Sequence, residues 1–380
     1  MHYAGFLIRK ERLKRSWSQE GLCSGICTVS YLSKIEQGKA EASREITELL
    51  LGRMSVAWDA DSRLGELVEK AYEALLSCDG SGLEKITDGS EWKRLENGPY
   101  APDKLLLDMF ASDAEWNADD ALEVCMDNRQ LALMRCLQSR DDDALKLYPC
   151  AFLYYAAGER RYRRGENAAA LEMLQMAYQL AAQEGRARVM MYARLIMGNC
   201  YSNRRDIAAM EAHYRVAGRL AKAMGESRDL EIIRYNSAST YLEAGDYRRA
   251  LEYFEKVKRH TSMTLHKLAI CHEKLGQTDK ALDEIARAEA MAGEEDGVID
   301  EEVIRIMCRV VRLRLTVPEY VRDEEYGRAL LECFEKCRRE LPAGYAAFHL
   351  PWVLEWYEEN RLYKQAYALL RDFPEELKKT

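Results

Sequence analysis

Between residues 4 and 54 the apolar positions recur with the period of helices. "AGFLIRKERLKR" sets Phe6, Leu7 and Leu13 inward and Arg9, Lys10, Lys14 and Arg15 outward, a first helix. Ser18 is placed to cap a second, "SQEGLCSG", with Leu22 and Cys23 toward the core. Gly25 supplies a sharp turn. Thr28 then caps a third helix, "VSYLSKIEQ", with Leu32 and Ile35 inside and Ser30, Tyr31, Ser33 and Lys34 outside, and Gly38 ends it. A fourth, "SREITELLLGRM", starts at Ser43 and closes the bundle with Ile46, Leu49 and Leu50.

From about residue 145 the pattern repeats itself. "GERRYRRGENAAALEML", "GNCYSNRRDIAAMEAHY", "ASTYLEAGDYRRALEYF" and "AICHEKLGQTDKALDEI" align without gaps. Each opens on a small residue (Gly158, Gly198, Ala238, Ala269). A second position holds Ala170, Ala250 and Ala281, with Met210 as the exception, and a third holds Leu174, Tyr214, Phe254 and Ile285. Small residues let antiparallel helices approach, and the large one fills the gap. The pattern returns around Ala329 and Ala366. It resembles the tetratricopeptide repeat, which implies about five to seven helix pairs stacked as a right-handed solenoid with a concave inner face. "GSGLEKITDGSEWKRLENGPYAPDK" is the least regular stretch and reads as a loose connection. The expectation is an all-α chain: a helix-turn-helix domain at 1–54, a linker at 55–63, and a repeat domain at 64–380, clearest over 145–290.

Composition agrees with this reading. Hydrophobic residues make up 48% and charged residues 32% of 380, with only 7 prolines and 22 glycines, which disfavours a turn-rich β architecture. No apolar run is long enough for a membrane span, and the first residues hold too short a run for a signal peptide. A cytoplasmic location is expected, with the 11 cysteines reduced. Cys23/Cys27 and Cys333/Cys337 are helical i, i+4 pairs, read as core rather than as metal ligands. His260, His266 and His272 turn to different helix faces, so no metal is expected. The net charge of −8 is uneven: residues 1–54 hold nine basic and six acidic side chains, leaving 47 and 58 for the rest. A basic head on an acidic body is suited to a head that alone approaches a polyanion.

"WSQEGLCSGICTVSYLSKIEQGK" resembles the helix-turn-helix of the Cro/repressor (XRE) class, with Ser-Gln opening the second helix and Ser-x-Ile-Glu-x-Gly-Lys closing the third. The shortened "GIC" turn is similar to that of the peptide-responsive regulators of the Rgg, NprR, PlcR and PrgX type. Gly21 inside the second helix, at a cost of about 1 kcal/mol, and Ala42 in place of a frequent proline depart from the class. The resemblance implies that the third helix enters the major groove of double-stranded DNA by its N-terminal end. Thr28, Val29 and Ser30 are then the base-edge candidates, with Tyr31 and Ser33 on the same exposed face. Ser18, Gln19, Lys34, Lys39 and Arg9 are placed for phosphates, which set affinity rather than sequence.

In the repeats, Asn199 and Asn236 fall on the inner helices of adjacent pairs. Asparagine both donates and accepts, as a peptide backbone requires. Tetratricopeptide domains that clamp peptides often carry asparagine at these offsets, so the resemblance implies peptide contacts here. Lys267, at the matching offset one pair on, suits a carboxylate, and Arg194, Arg234 and Tyr201 are expected along the same wall. No phosphate-cradling loop, nucleophile elbow or paired carboxylates point to an enzyme, and no cofactor is implied. The expected function is a homodimeric, sequence-specific transcriptional regulator controlled by a short signalling peptide. The alternatives are a helical-repeat module that binds a folded partner or antirepressor while the head tethers it to DNA, or a solenoid that sequesters a response regulator.

Overall fold

The computed structural model describes residues 2–114, 120–292, 300–341 and 343–377, and among them all regular structure is helical, without a strand. The chain forms two compact units: Met1–Arg160 with Ala169–Ala193, and Arg161–Ala168 with Arg194–Thr380.

The first unit begins with helices Tyr3–Lys14, Gln19–Cys23, Val29–Glu36 and Arg44–Arg53. The starts of the last three are set by a hydroxyl where the sequence placed one: Ser18, Thr28 and Ser43 accept from the backbone N–H three residues on. Ile8, Leu22, Cys23, Leu32, Ile35, Leu50, Leu51 and Met54 form the core. Of the other residues expected there, Leu7 and Ile46 pack half-buried against it, Phe6 is half-buried, and two lie at the surface. Leu13 is 55% and Leu49 50% exposed. On the first helix Gly5, Ile8 and Arg12 make the inner face, and Leu13 lies about 100° beyond Arg12. On the fourth, Leu51 takes the inward place beside Leu50. A Cβ on Gly5 would overlap the Ile35 carbonyl, so glycine sets how closely these two helices meet.

Arg12 is the inward residue that periodicity misses. Its Nε lies 2.6 Å from Glu36 Oε1 and its Nη2 2.7 Å from Oε2, with side chains only 11% and 3% exposed. Arg12 Nη1 also donates to the Trp17 carbonyl at 2.8 Å, and Gln19 Nε2 donates to Glu36 Oε2 at 2.8 Å. This one cluster ties together the first three helices. Arg53 donates to the Leu22 and Ser24 carbonyls at 2.8 and 2.6 Å, holding the turn against the fourth.

The segment expected as a linker is packed on both sides. Val56 and Trp58 lie on the head core, and Tyr3 stacks on Trp58. Asp59 and Asp61 both pair with Arg94, at 2.8 and 3.3 Å. The stretch read as a loose connection is instead Gly80–Thr87, Ser90–Arg94, the 3-10 turn Leu95–Asn97 and Ala101–Ala111. Asp79 caps the first of these, and Trp92, Leu95 and Leu107 are buried against Leu64, Val68 and Tyr72. Such short helices carry too few turns to show a period.

Helix pairs follow: Ala151–Arg163 with Asn167–Glu184, Ala187–Asn203 with Ile207–Met224, Ser227–Glu243 with Tyr247–Phe254, Ser262–Lys274 with Thr278–Met291, Glu301–Thr316 with Glu324–Glu340, and Ala343–Glu359 with Tyr363–Leu377. The small-large code works at their crossings. A Cβ on Gly158 would stand 2.7 Å from Leu174 Cγ, and one on Gly198 would overlap the Tyr214 ring. Gly327 repeats the device against Trp356. Within the second unit Ser227–Glu243, Ser262–Lys274 and Glu301–Thr316 also pack on one another, aligning the first helices of three pairs. Turns after the first helices place Gly165, Gly245 and Gly276 at positive φ, and Arg205 adopts the same conformation at φ 57°.

Glu36→Ala leaves the Arg12 guanidinium buried without its partner and is expected to cost about 3–5 kcal/mol, read by urea unfolding of the whole chain. The apolar pair Arg12→Met with Glu36→Leu is expected to lose much less, because no uncompensated charge remains.

Candidate functional site

At the head, the start of the Val29–Glu36 helix is the open surface. Thr28, Val29 and Ser30 are exposed, Val29 to 43%. The Thr28 oxygen accepts from Tyr31 N at 3.2 Å, which leaves its hydroxyl hydrogen available to donate to a partner. Lys34, Lys39 and Arg9 are exposed cations. The other expected contacts have internal partners. Tyr31 donates its hydroxyl to the Glu41 carbonyl at 2.9 Å, Ser33 accepts from Gln37 at 3.0 Å, Gln19 is held by Glu36, and Ser18 caps its helix. Thr28, Val29 and Ser30 are thus presented by a rigid frame, with cations near the same helix.

The second unit contains a cavity of about 400 Å³. Its wall is one stripe from each of several helices: Asn199, Ser202 and Asn203; Tyr235, Asn236, Ser239, Thr240 and Glu243; Met263, His266 and Lys267. These are i, i+3, i+4 sets, as a single helix face requires. Tyr162, Tyr214, Met307, Gly344, Tyr345 and Phe348 complete it. Asn199, Asn236 and Lys267, singled out in the sequence, all line the cavity. Arg194, Arg234 and Tyr201 do not. Arg234 and Tyr201 stand two positions from Asn236 and Asn199, about 200° round the helix. Arg194 meets His213 Nδ1 at 3.2 Å, Tyr201 stacks on that histidine, and Arg234 is taken by Glu231 and the Lys256 carbonyl. Applying the helical stripe to the two asparagines alone would have found Ser202, Asn203, Ser239, Thr240 and Glu243. The wall from Met307, Tyr345 and Phe348 comes from about a hundred residues further on and has no local signal.

The two asparagines are joined. Asn199 Oδ1 accepts from the Tyr214 hydroxyl at 2.6 Å and from Asn236 Nδ2 at 3.2 Å. Burial raises the Tyr214 phenol above its ordinary pKa, so it remains a donor. With Asn199 Oδ1 so occupied, Asn199 Nδ2, beside the Tyr162 hydroxyl, and Asn236 Oδ1 are the pair's remaining donor and acceptor at the cavity wall, one from each of two adjacent helix pairs. Lys267 Nζ donates to Ser239 Oγ at 2.9 Å and lies 4.6 Å from the Tyr235 ring centroid, so its charge is positioned at the wall. Ser202 and Thr240 pair their hydroxyls at 2.6 Å. The polar groups follow one side, while Met263, Met307 and Phe348 offer apolar area. That mixture suits an extended chain with backbone amides and apolar side chains.

His266 is buried, and neither ring nitrogen has a hydrogen-bond partner. Burial first, then His349 and Lys267 nearby, push its pKa down to about 3. Among the described residues it does not gather with His260 and His272 into a ligand set, and His272 pairs with Gln277 at 2.8 Å. Its folded pKa lies below the unfolded value of 6.5, so the unfolded chain takes the proton first and stability falls as pH drops through 6.5. Between near pH 7 and about pH 5.5 this group is expected to remove about 1 kcal/mol of stability. His266→Leu should lose correspondingly less over that interval in chemical denaturation.

No family model matches the chain, and no curated protein matches it. Among solved structures it is similar to the apo form of the quorum sensor NprR from B. thuringiensis, at 16% identity and a TM-score of 0.49, covering 97% of this chain and 99% of that one. It is also similar to Bacillus thuringiensis PlcR in complex with the peptide PapR7 and DNA, at 12% identity and a TM-score of 0.34, covering 84% and 100%.

Proposed function

We propose that this chain is a sequence-specific DNA-binding transcriptional regulator whose second unit binds a short signalling peptide that controls the head. The observation that carries the reading is the joined pair Asn199 and Asn236, which lines a cavity in a chain that also presents Thr28, Val29 and Ser30 on a capped helix. Residues 1–54 read DNA, and the repeats within 64–380 sense the peptide. Val29 contacts a thymine methyl, while Thr28 and Ser30 use hydroxyls that several base edges accept. Lys34, Lys39 and Arg9 neutralise phosphates.

A single helix-turn-helix has a small interface, so useful specificity calls for two heads on an inverted repeat. Tyr363, Tyr367 and Leu370 stand exposed at i, i+4 and i+7 on the last helix, an apolar stripe suited to a second copy of the chain. No helix among the described residues is long and apolar enough to cross a membrane.

The test has two arms on the full chain. Peptides selected from a random short-peptide library are titrated by calorimetry. Asn199→Ala with Asn236→Ala is expected to weaken them about tenfold or more, and unchanged affinity contradicts the cavity assignment. An operator selected from random duplexes is then challenged with head variants. Val29→Ala and Ser30→Ala should relax base preference. Lys34→Ala should weaken all duplexes alike and lower the salt slope by about one.

A further inference from the structure

Behind the cavity wall lies a cluster that the proposed function does not use. Cys333 and Cys337 are one turn apart on the Glu324–Glu340 helix, and His349 faces them from the adjoining Ala343–Glu359 helix. One ligand atom from each lies within 4.8 Å of the other two, and all three residues are fully or almost fully buried. His349 Nδ1 lies 2.8 Å from the Tyr345 carbonyl, to which it donates, so Nε2 carries the lone pair. That Nε2 is buried and faces only the Cys337 thiol, a weak donor, so its lone pair is poorly satisfied.

We propose that Cys333, Cys337 and His349 Nε2 bind a thiophilic d10 metal ion, Zn²⁺ or Cu⁺. At a tetrahedral angle two zinc–thiolate bonds of about 2.3 Å hold their sulfurs roughly 3.8 Å apart, so donors that lie within 4.8 Å of one another need close by no more than about 1 Å to meet on one ion. Two thiolates and an imidazole without a carboxylate select soft ions over Mg²⁺ or Ca²⁺. A ligating histidine characteristically donates its other nitrogen to a carbonyl, as His349 does to Tyr345, which fixes the ring. Binding releases the two thiol protons to solvent, and no electron is transferred. The ion would brace the helix whose Tyr345 and Phe348 face the cavity. Binding itself stands or falls independently of the peptide reading.

The full-length chain, reduced and stripped by a chelator without oxygen, is titrated with Zn²⁺ alone against a chromophoric chelator, and separately with Cu⁺ alone against a Cu⁺-selective one. Uptake of a single equivalent of either ion, with a rise in Tm, is expected, and the arm that competes better identifies the ion. His349→Ala and Cys337→Ser should weaken uptake by more than about 100-fold, beyond what loss of a mere outer partner costs. Cys136→Ala, a buried thiol far along the chain, should leave it unchanged. Co²⁺ added to the unaltered chain should give a thiolate-to-cobalt absorption band, a readout that needs no variant to fold. Uptake of neither ion and no cobalt band, or uptake undiminished in both ligand variants, overturns the assignment.

Discussion

The contact between Gly198 and Tyr214 joins fold to site. With no side chain at residue 198, the Tyr214 ring lies where a Cβ would be, and the two helices of that pair close on it. The same approach carries the phenol hydroxyl to Asn199 Oδ1, which in turn receives Asn236 from the next pair. A larger residue at 198 would separate the helices and withdraw the hydroxyl together. Overpacking at such a crossing commonly costs 1–3 kcal/mol. Here it would also unmake the polar floor of the cavity. The repeat is therefore both the means of stacking helices and the means of aligning donors and acceptors along them.

A second constraint governs the head. Hydrophobic burial alone would let three short helices slide against one another, since Gln19–Cys23 has barely more than one turn. The Arg12–Glu36 pair gives a fixed register, with Gln19 on the same carboxylate. A buried ion pair adds little net stability over apolar packing, but it penalises misplacement heavily. That property suits a helix which, in the proposed function, brings the exposed Thr28, Val29 and Ser30 to base edges.

Much of this was legible in the sequence where the signal is local and periodic. The helix caps at Ser18, Thr28 and Ser43 reach the backbone three residues on, and the small-large partners Gly158 with Leu174 and Gly198 with Tyr214 lie within one helix pair at a repeated spacing. Leu13 and Leu49 misled because each is a leucine beside the true inward position. Arg12 reads as a surface cation until Glu36, 24 residues on, is known to face it. In the cavity, Asn199, Asn236 and Lys267 stood out by offset, whereas Met307, Tyr345 and Phe348 arrive only through stacking of later helices. Likewise Cys333 and Cys337 announce a shared face, but nothing in the local pattern announces His349.

If the peptide controls the head, the Asn199–Asn236 cavity and the Thr28–Ser30 surface are energetically coupled. That coupling is tested most directly by measuring operator affinity with and without saturating selected peptide, and peptide affinity with and without operator, on the same full chain. Both affinities are expected to change by one common factor, of about 5- to 150-fold, since coupling between two binding sites is reciprocal. A peptide that binds the cavity tightly yet leaves operator affinity unchanged would contradict such control.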